Sequence, residues 1–232
     1  MLLNLINSNS TSFWEILSYV ISAAAVVFFA LPVHEFAHGF VASKLGDPTP
    51  RMQGRLTLNP MAHLDPIGSL GILLFGVGWA KPVGVNPRYF KSPKWGMAVT
   101  ALAGPVSNII MAFLSLIIMN LFVLLCITVG FAGEIAAAIF TFFYYLSYIN
   151  VYLAVFNLIP IPPFDGSRIL FAVLPSRYYF AVMRYERYIF VGLLILFFAS
   201  SRLGVSPISA IVEKIISGIY SIVDLPFGYR VF

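Results

Sequence analysis

The chain has 232 residues, 60% of them hydrophobic and only 10% charged, with a formal net charge of +5. Soluble domains carry about a quarter charged residues, so this composition excludes a water-soluble globular protein and specifies a chain that lives in lipid. The bases are not patterned for nucleic acid, and a single cysteine, Cys126, allows no internal disulfide.

A membrane span needs about twenty apolar residues, and such runs fall at roughly 13–43, 97–128, 135–158 and 188–203. The first base is Lys44, so the apolar N-terminal run lacks the positive leader of a cleavable signal and is read as a retained span. Lys44, Arg51, Arg55, Lys81, Arg88, Lys91 and Lys94 lie between the first and second spans. Arg168, Arg177, Arg184 and Arg187 lie between the third and fourth, and the turn at Gly130 to Glu134 has no base. The positive-inside rule then puts the N-terminus outside and both basic loops in the cytoplasm.

Between Pro66 and Val85 the chain reads "PIGSLGILLFGVGWAKPVGV", too glycine-rich and short for a spanning helix. Val77, Trp79, Val83 and Val85 alternate around Ala80 to Pro82, which predicts a short membrane-associated β-hairpin between the first and second spans. An open edge of that hairpin would accept an extended peptide by main-chain hydrogen bonds. Residues 206–225 carry Glu213, Lys214 and Asp224 among apolar residues, which fits an interfacial helix or a further span. The expected fold is an all-α polytopic membrane protein of four to six transmembrane helices with that hairpin. It forms one membrane-embedded domain over 1–232, because no polar stretch reaches the roughly 50 residues of a separate soluble domain.

At the end of the first span stands "HEFAH", His34 to His38. On a helix His34 and His38 lie one turn apart on one face, so both imidazoles can reach one ion while Glu35 stays free to act on water. In a chain of this composition the motif arises by chance about once in a thousand sequences, which sets chance aside. The bland reading is a structural His–Glu pair, disfavoured by the cost of ionisable groups in a span. A catalytic zinc takes three protein ligands and leaves one position open. The candidates for the third are His63, Asp47, Asp65 and Asp165. Asp165 stands out in "NLIPIPPFDGSR", where Pro160, Pro162 and Pro163 break the third span at the membrane edge. The first and third spans run in the same direction, so His34, His38 and Asp165 come to the same side. The alternative for Asp165 is an ordinary N-cap of the next helix.

"HEFAH", "GPVSN" at Gly104 to Asn108 and "NLIPIPPFDG" at Asn157 to Gly166 resemble, in order and spacing, the site-2 protease family of intramembrane zinc metalloproteases. "GRLTLNPMAHLDPIG" and "GWAKPVGVNP" are similar to its compact subgroup without a PDZ domain, with Gly84 where that pattern has proline. The resemblance covers roughly residues 28–170. It implies one zinc held by His34, His38 and Asp165, with Glu35 as catalytic base and Asn157 steadying the oxyanion. It implies an endopeptidase that cuts transmembrane segments of other proteins, in a multi-pass protein of a bacterial-type cell membrane with its active site toward the cytoplasm. Asn157 fits equally a span-end amide capping a broken helix, and Asn108 a packing amide or a second-shell group. His63, in "AHLDP" with Asp65, is either a group near the active site or part of a turn before Pro66. The competing class is a zinc-binding membrane protein without catalysis, or a metal transporter; a transporter needs ligands but has little use for a free carboxylate at Glu35. Oligomeric state is not specified by the sequence.

Overall fold

The structure, a computed structural model, describes residues 12–75, 78–175, 181–182, 184–202 and 207–224. Among the described residues, three helices are long and apolar enough to cross a membrane: Phe13–Lys44, Pro93–Val129 and Glu134–Asn157. They match the first three expected spans.

The first comprises α1 (Phe13–Ala25), a π-helical turn at Val26–Ala30 and α2 (Leu31–Lys44). Ser12 caps α1, its Oγ accepting from Glu15 N–H at 3.2 Å. Pro32 has no N–H for the carbonyl four residues back and its ring crowds that carbonyl. The helix widens just before it, with Leu31 N–H donating to Val26 O, five residues back. Pro32 therefore does not end the helix; the wide turn carries it on into the His34–His38 stretch.

After α2 come three short helices, α3 (Thr49–Met52), α4 (Pro60–His63) and α5 (Pro66–Phe75). The long α6 (Pro93–Val129) follows and turns at Gly130, in the left-handed region at φ 69°, into α7 (Glu134–Asn157). α8 (Asp165–Val173), α9 (Glu186–Arg202) and α10 (Pro207–Asp224) complete the chain. α1 and α7 run parallel with a fixed offset: Ser18 Oγ donates to Ala138 O at 2.9 Å and Ser22 Oγ to Phe142 O at 2.8 Å. The small serines bring the two backbones together, as small residues do between membrane helices. Because α1–α2 and α7 point the same way, the C-terminal end of α2, the start of α6 and the end of α7 gather at one end of the bundle. The packed centre is Tyr19, Ala23, Val26, Ile72, Ile149 and Leu153, all buried.

One expectation changes. Residues 188–202 of the fourth expected span lie in the helix α9, and residue 203 lies outside the described residues. The 206–225 stretch is amphipathic: Val212, Ile216 and Val223 of α10 are buried, whereas Glu213 and Lys214 are exposed. The expected β-hairpin is not found. No strand occurs among the described residues, and Gly76 and Val77 lie outside them, as does Arg177 of the second basic loop. Residues 78–86 instead form an extended strap whose amides are spent on four different acceptors. Lys81 N–H donates to His63 O (2.8 Å), Val83 to Glu35 Oε2 (2.8 Å), Gly84 to Gln53 Oε1 (3.2 Å) and Asn86 to Asp47 Oδ2 (2.7 Å). Pro82 has no N–H to offer. Among the alternating residues, Val83 is buried beside Gly39 of α2 and the Trp79 ring packs edge-on against Phe190 of α9, so these side chains meet helices and not a paired strand.

The turn from α7 into α8 folds tightly, with Phe164 against Phe156 at a centroid distance of 4.3 Å. A Cβ on Gly166 would collide with the carbonyl oxygens of Leu158 and Ile159. Gly166→Ala is therefore expected to cost about 1–3 kcal/mol through forced separation of α8 from the turn. Thermal unfolding of the purified protein in detergent reads this as a lowered Tm, and an unchanged Tm would show that α8 does not pack so closely.

Candidate metal centre

His34 and His38 stand on consecutive turns of α2, both buried. Their Nε2 atoms are 3.0 Å apart, and Asp165 Oδ2 lies 3.4 Å from His34 Nε2 and 3.2 Å from His38 Nε2. The three residues form a group that could hold a metal ion. A tetrahedral ion with bonds of 2.0–2.1 Å separates its ligands by about 3.3–3.4 Å, close to these spacings. Asp165 is the first residue of α8, and its carboxylate faces the imidazoles; α8 has no side-chain cap at its N-terminus. That sets aside the reading of Asp165 as a helix cap. Burial alone would raise the pKa of Asp165, but the adjoining His38 and His34 outweigh it and hold the carboxyl well below the usual carboxylate range. The group is therefore an anion at neutral pH, as a ligand must be.

Both imidazoles are oriented from behind. His38 Nδ1–H donates to Thr100 O at 2.7 Å and His34 Nδ1–H to Asn108 Oδ1 at 3.3 Å. With the proton on Nδ1, each Nε2 is left facing Asp165 and free to meet a cation: a proton, whose presence there is what holds the Asp165 carboxyl low, or a metal, for which this is the tautomer that a histidine needs. The two bare Nε2 lone pairs, 3.0 Å apart, repel each other unless a cation or proton sits between them. Space for an occupant exists because Gly104 faces the pair: a Cβ there would clash with His38 Nε2 and with His34 Cε1 and Nε2. The donor set, its tautomers and the room left by Gly104 fit a divalent cation.

Glu35, next to His34, is 8% exposed, and its Oε2 accepts from Val83 N–H. The strap thus fixes the carboxylate from the main chain. Asn108 is fully buried and bonded to His34, a more specific place than helix packing. Asn157 ends α7 with its Nδ2–H donated to Leu153 O at 3.0 Å, the arrangement of a span-end amide. His63 is buried away from the three ligands; its Nε2–H donates to Thr57 O at 2.9 Å and its carbonyl holds Lys81 of the strap. Asp65 caps α5 through Ile67 and Gly68 N–H, and Asp47 holds Thr49 and Asn86 N–H. Of the four candidates for a third ligand, only Asp165 reaches the imidazoles. Thr100 and Val83 contribute through their main chains, so no side-chain motif marks them.

Residues 123–199 match the sequence profile of Peptidase family M50. The chain is 43% identical over 169 residues to YwhC of Bacillus subtilis, a protein named as a candidate zinc metalloprotease. The match covers 71% of this chain and 74% of that one. It is 34% identical over 142 residues to Rip2 of Mycolicibacterium smegmatis, covering 59% and 51% of the two chains. With Rip2 of Mycobacterium tuberculosis strain H37Rv it is 30% identical over 181 residues, covering 75% and 66%. Both Rip2 proteins bear the same candidate designation, and this chain spans about half to two thirds of their length. No solved structure matches the chain. The extent and identity of the YwhC match place this chain in Peptidase family M50, the site-2 protease family.

Proposed function

We propose that this zinc metallopeptidase is an intramembrane endopeptidase, hydrolysing peptide bonds in or near transmembrane segments of membrane proteins. The observation that carries the reading is the meeting of His34, His38 and Asp165 with Glu35 beside them, at the ends of three apolar helices. Such a site can be reached by a bond that lies within the bilayer. The reading takes 1–232 as one membrane-embedded peptidase domain. Lys44 ends α2 and Lys94 lies in the first turn of α6, which supports a site facing the cytoplasm.

In this reading His34, His38 and Asp165 hold zinc, which supplies Lewis acidity for carbonyl polarisation and water activation. Glu35 takes a proton from the attacking water on its carboxylate and returns it to the leaving amine. Val83 N–H keeps that carboxylate aimed, so its geometry is set before substrate arrives. Thr100 O and Asn108 hold the imidazoles in the binding tautomer. A part for Asn157 in steadying the oxyanion rests on the family resemblance and would fall to its second Nδ2–H, the first being donated to Leu153 O. A helical substrate must unwind at the cut, because its scissile carbonyl is otherwise covered and internally bonded.

Three variants compared on a panel of single-span substrates test this. Glu35→Gln is expected to keep zinc and lose about 10²–10⁴-fold in cleavage, the range of a general base; normal cleavage would overturn the assignment. Asp165→Ala is expected to lose both zinc and cleavage, read by metal analysis of the purified protein. Val83→Pro removes the N–H that anchors Glu35. It is expected to lower cleavage about tenfold or more at unchanged zinc content, as loss of a hydrogen bond to a charged group predicts.

A further inference from the structure

Asn108 and Asn150 are both fully buried, and each has one polar atom with no hydrogen-bond partner among the described residues: Asn108 Nδ2, a donor, and Asn150 Oδ1, an acceptor. Buried groups of this kind are rare in folded proteins and call for a partner. Their helices are antiparallel neighbours, and Ser147 Oγ of α7 donates to Ala112 O of α6 at 3.1 Å. Asn108 is one turn from Ala112 toward the metal-centre end, and Asn150 is one turn from Ser147 in the same spatial direction. The two amides therefore lie at the same level of one helix interface. Ile109, Ala112 and Val151 belong to the apolar cluster around them.

Their orientations are set by other bonds. Asn150 Nδ2–H donates to Leu146 O at 2.8 Å, which leaves its Oδ1 as the free end. Asn108 Oδ1 accepts from His34 Nδ1–H, which leaves its Nδ2 as the free end. A donor and an acceptor, each without a partner, are thus presented from facing helices.

We infer that Asn150 is a positioning residue for His34: its Oδ1 accepts, across one buried water, the hydrogen bond that Asn108 Nδ2–H offers. The chain runs His34–Asn108–Asn150 and ties the imidazole on α2 through α6 to α7. It rests on the reading of His34 as a zinc ligand. Asn150 acts on the site only through Asn108, fixing which end of that amide faces the imidazole and hence which nitrogen of His34 is free for metal. Groups that orient a metal-binding histidine typically contribute 10–100-fold in metal affinity, and a group one step further out belongs at the lower end.

The test measures zinc affinity of the purified full chain in detergent by chelator competition, with Tm of the metal-free protein recorded alongside. Asn150→Leu, close in volume but without polar ends, is expected to weaken zinc about tenfold. Asn150→Asp, neutral when buried, keeps the acceptor and the donor and is expected to stay within about twofold of wild type. In the double variant with Asn108→Leu the two losses are expected not to multiply, since both break one chain. Wild-type zinc affinity in Asn150→Leu with only a lowered Tm, or multiplying losses in the double variant, would overturn the inference. If Asn150→Leu does not fold, Asn150→Ala carries the same expectation and the same refutation. His34→Ala retaining wild-type zinc affinity would overturn the metal centre itself and this role with it. Loss in His34→Ala with none at position 150 overturns only the role of Asn150.

Discussion

His34 Nε2, His38 Nε2 and Asp165 Oδ2 lie within 3.4 Å of one another. Two imidazole lone pairs and a carboxylate at such distances, in a largely apolar bundle, are an electrostatic demand that only a cation or a proton can meet. Everything that holds them there must come from packing elsewhere. Two helices supply these three groups, α2 and α8, and neither could be shifted by a residue without parting them. The register is fixed far from the site, where Ser18 and Ser22 of α1 donate to carbonyls of α7. Small side chains allow that close approach, and it passes along both helices to the other end of the bundle.

The site is closed from the sides by groups drawn from separate elements. Thr100 O and Asn108 come from α6, Val83 N–H from the strap, and Gly104 opens the space that a larger residue would fill. Main-chain groups hold His38 and Glu35, and the buried Asn108 amide holds His34, which fixes these side chains before anything binds. The strap is irregular chain whose polar groups are met within the protein: its amides go to a carbonyl, two carboxylates and a side-chain amide, so none of those four is left unpaired.

Much of this was legible in the sequence, because the chemistry lies in side chains with distinctive spacing. His34 and His38 at i and i+4, Glu35 between them and Asp165 after three prolines announce themselves, and apolar runs mark the first three spans. Less legible was what depends on main-chain partners. The strap alternates like a strand, yet Val83 N–H bonds to a residue 48 positions earlier, and no periodicity encodes such a contact. His63 sits in a motif-like setting, yet it serves the loop through Thr57 and Lys81; its identity alone could not distinguish holding a loop from holding a metal. The local break of helical spacing at Val26–Ala30 follows from Pro32, but its form as a wide turn with the helix continuing is a matter of packing.

Zinc K-edge absorption of the purified protein tests the central claim most directly, since it reads the coordination of any bound metal without reference to substrate. One zinc per chain is expected, with two imidazole nitrogens and a carboxylate oxygen at about 2.0–2.2 Å, and the oxygen contribution altered in Asp165→Asn. Absence of zinc, or a coordination sphere left unchanged by that substitution, would contradict the account.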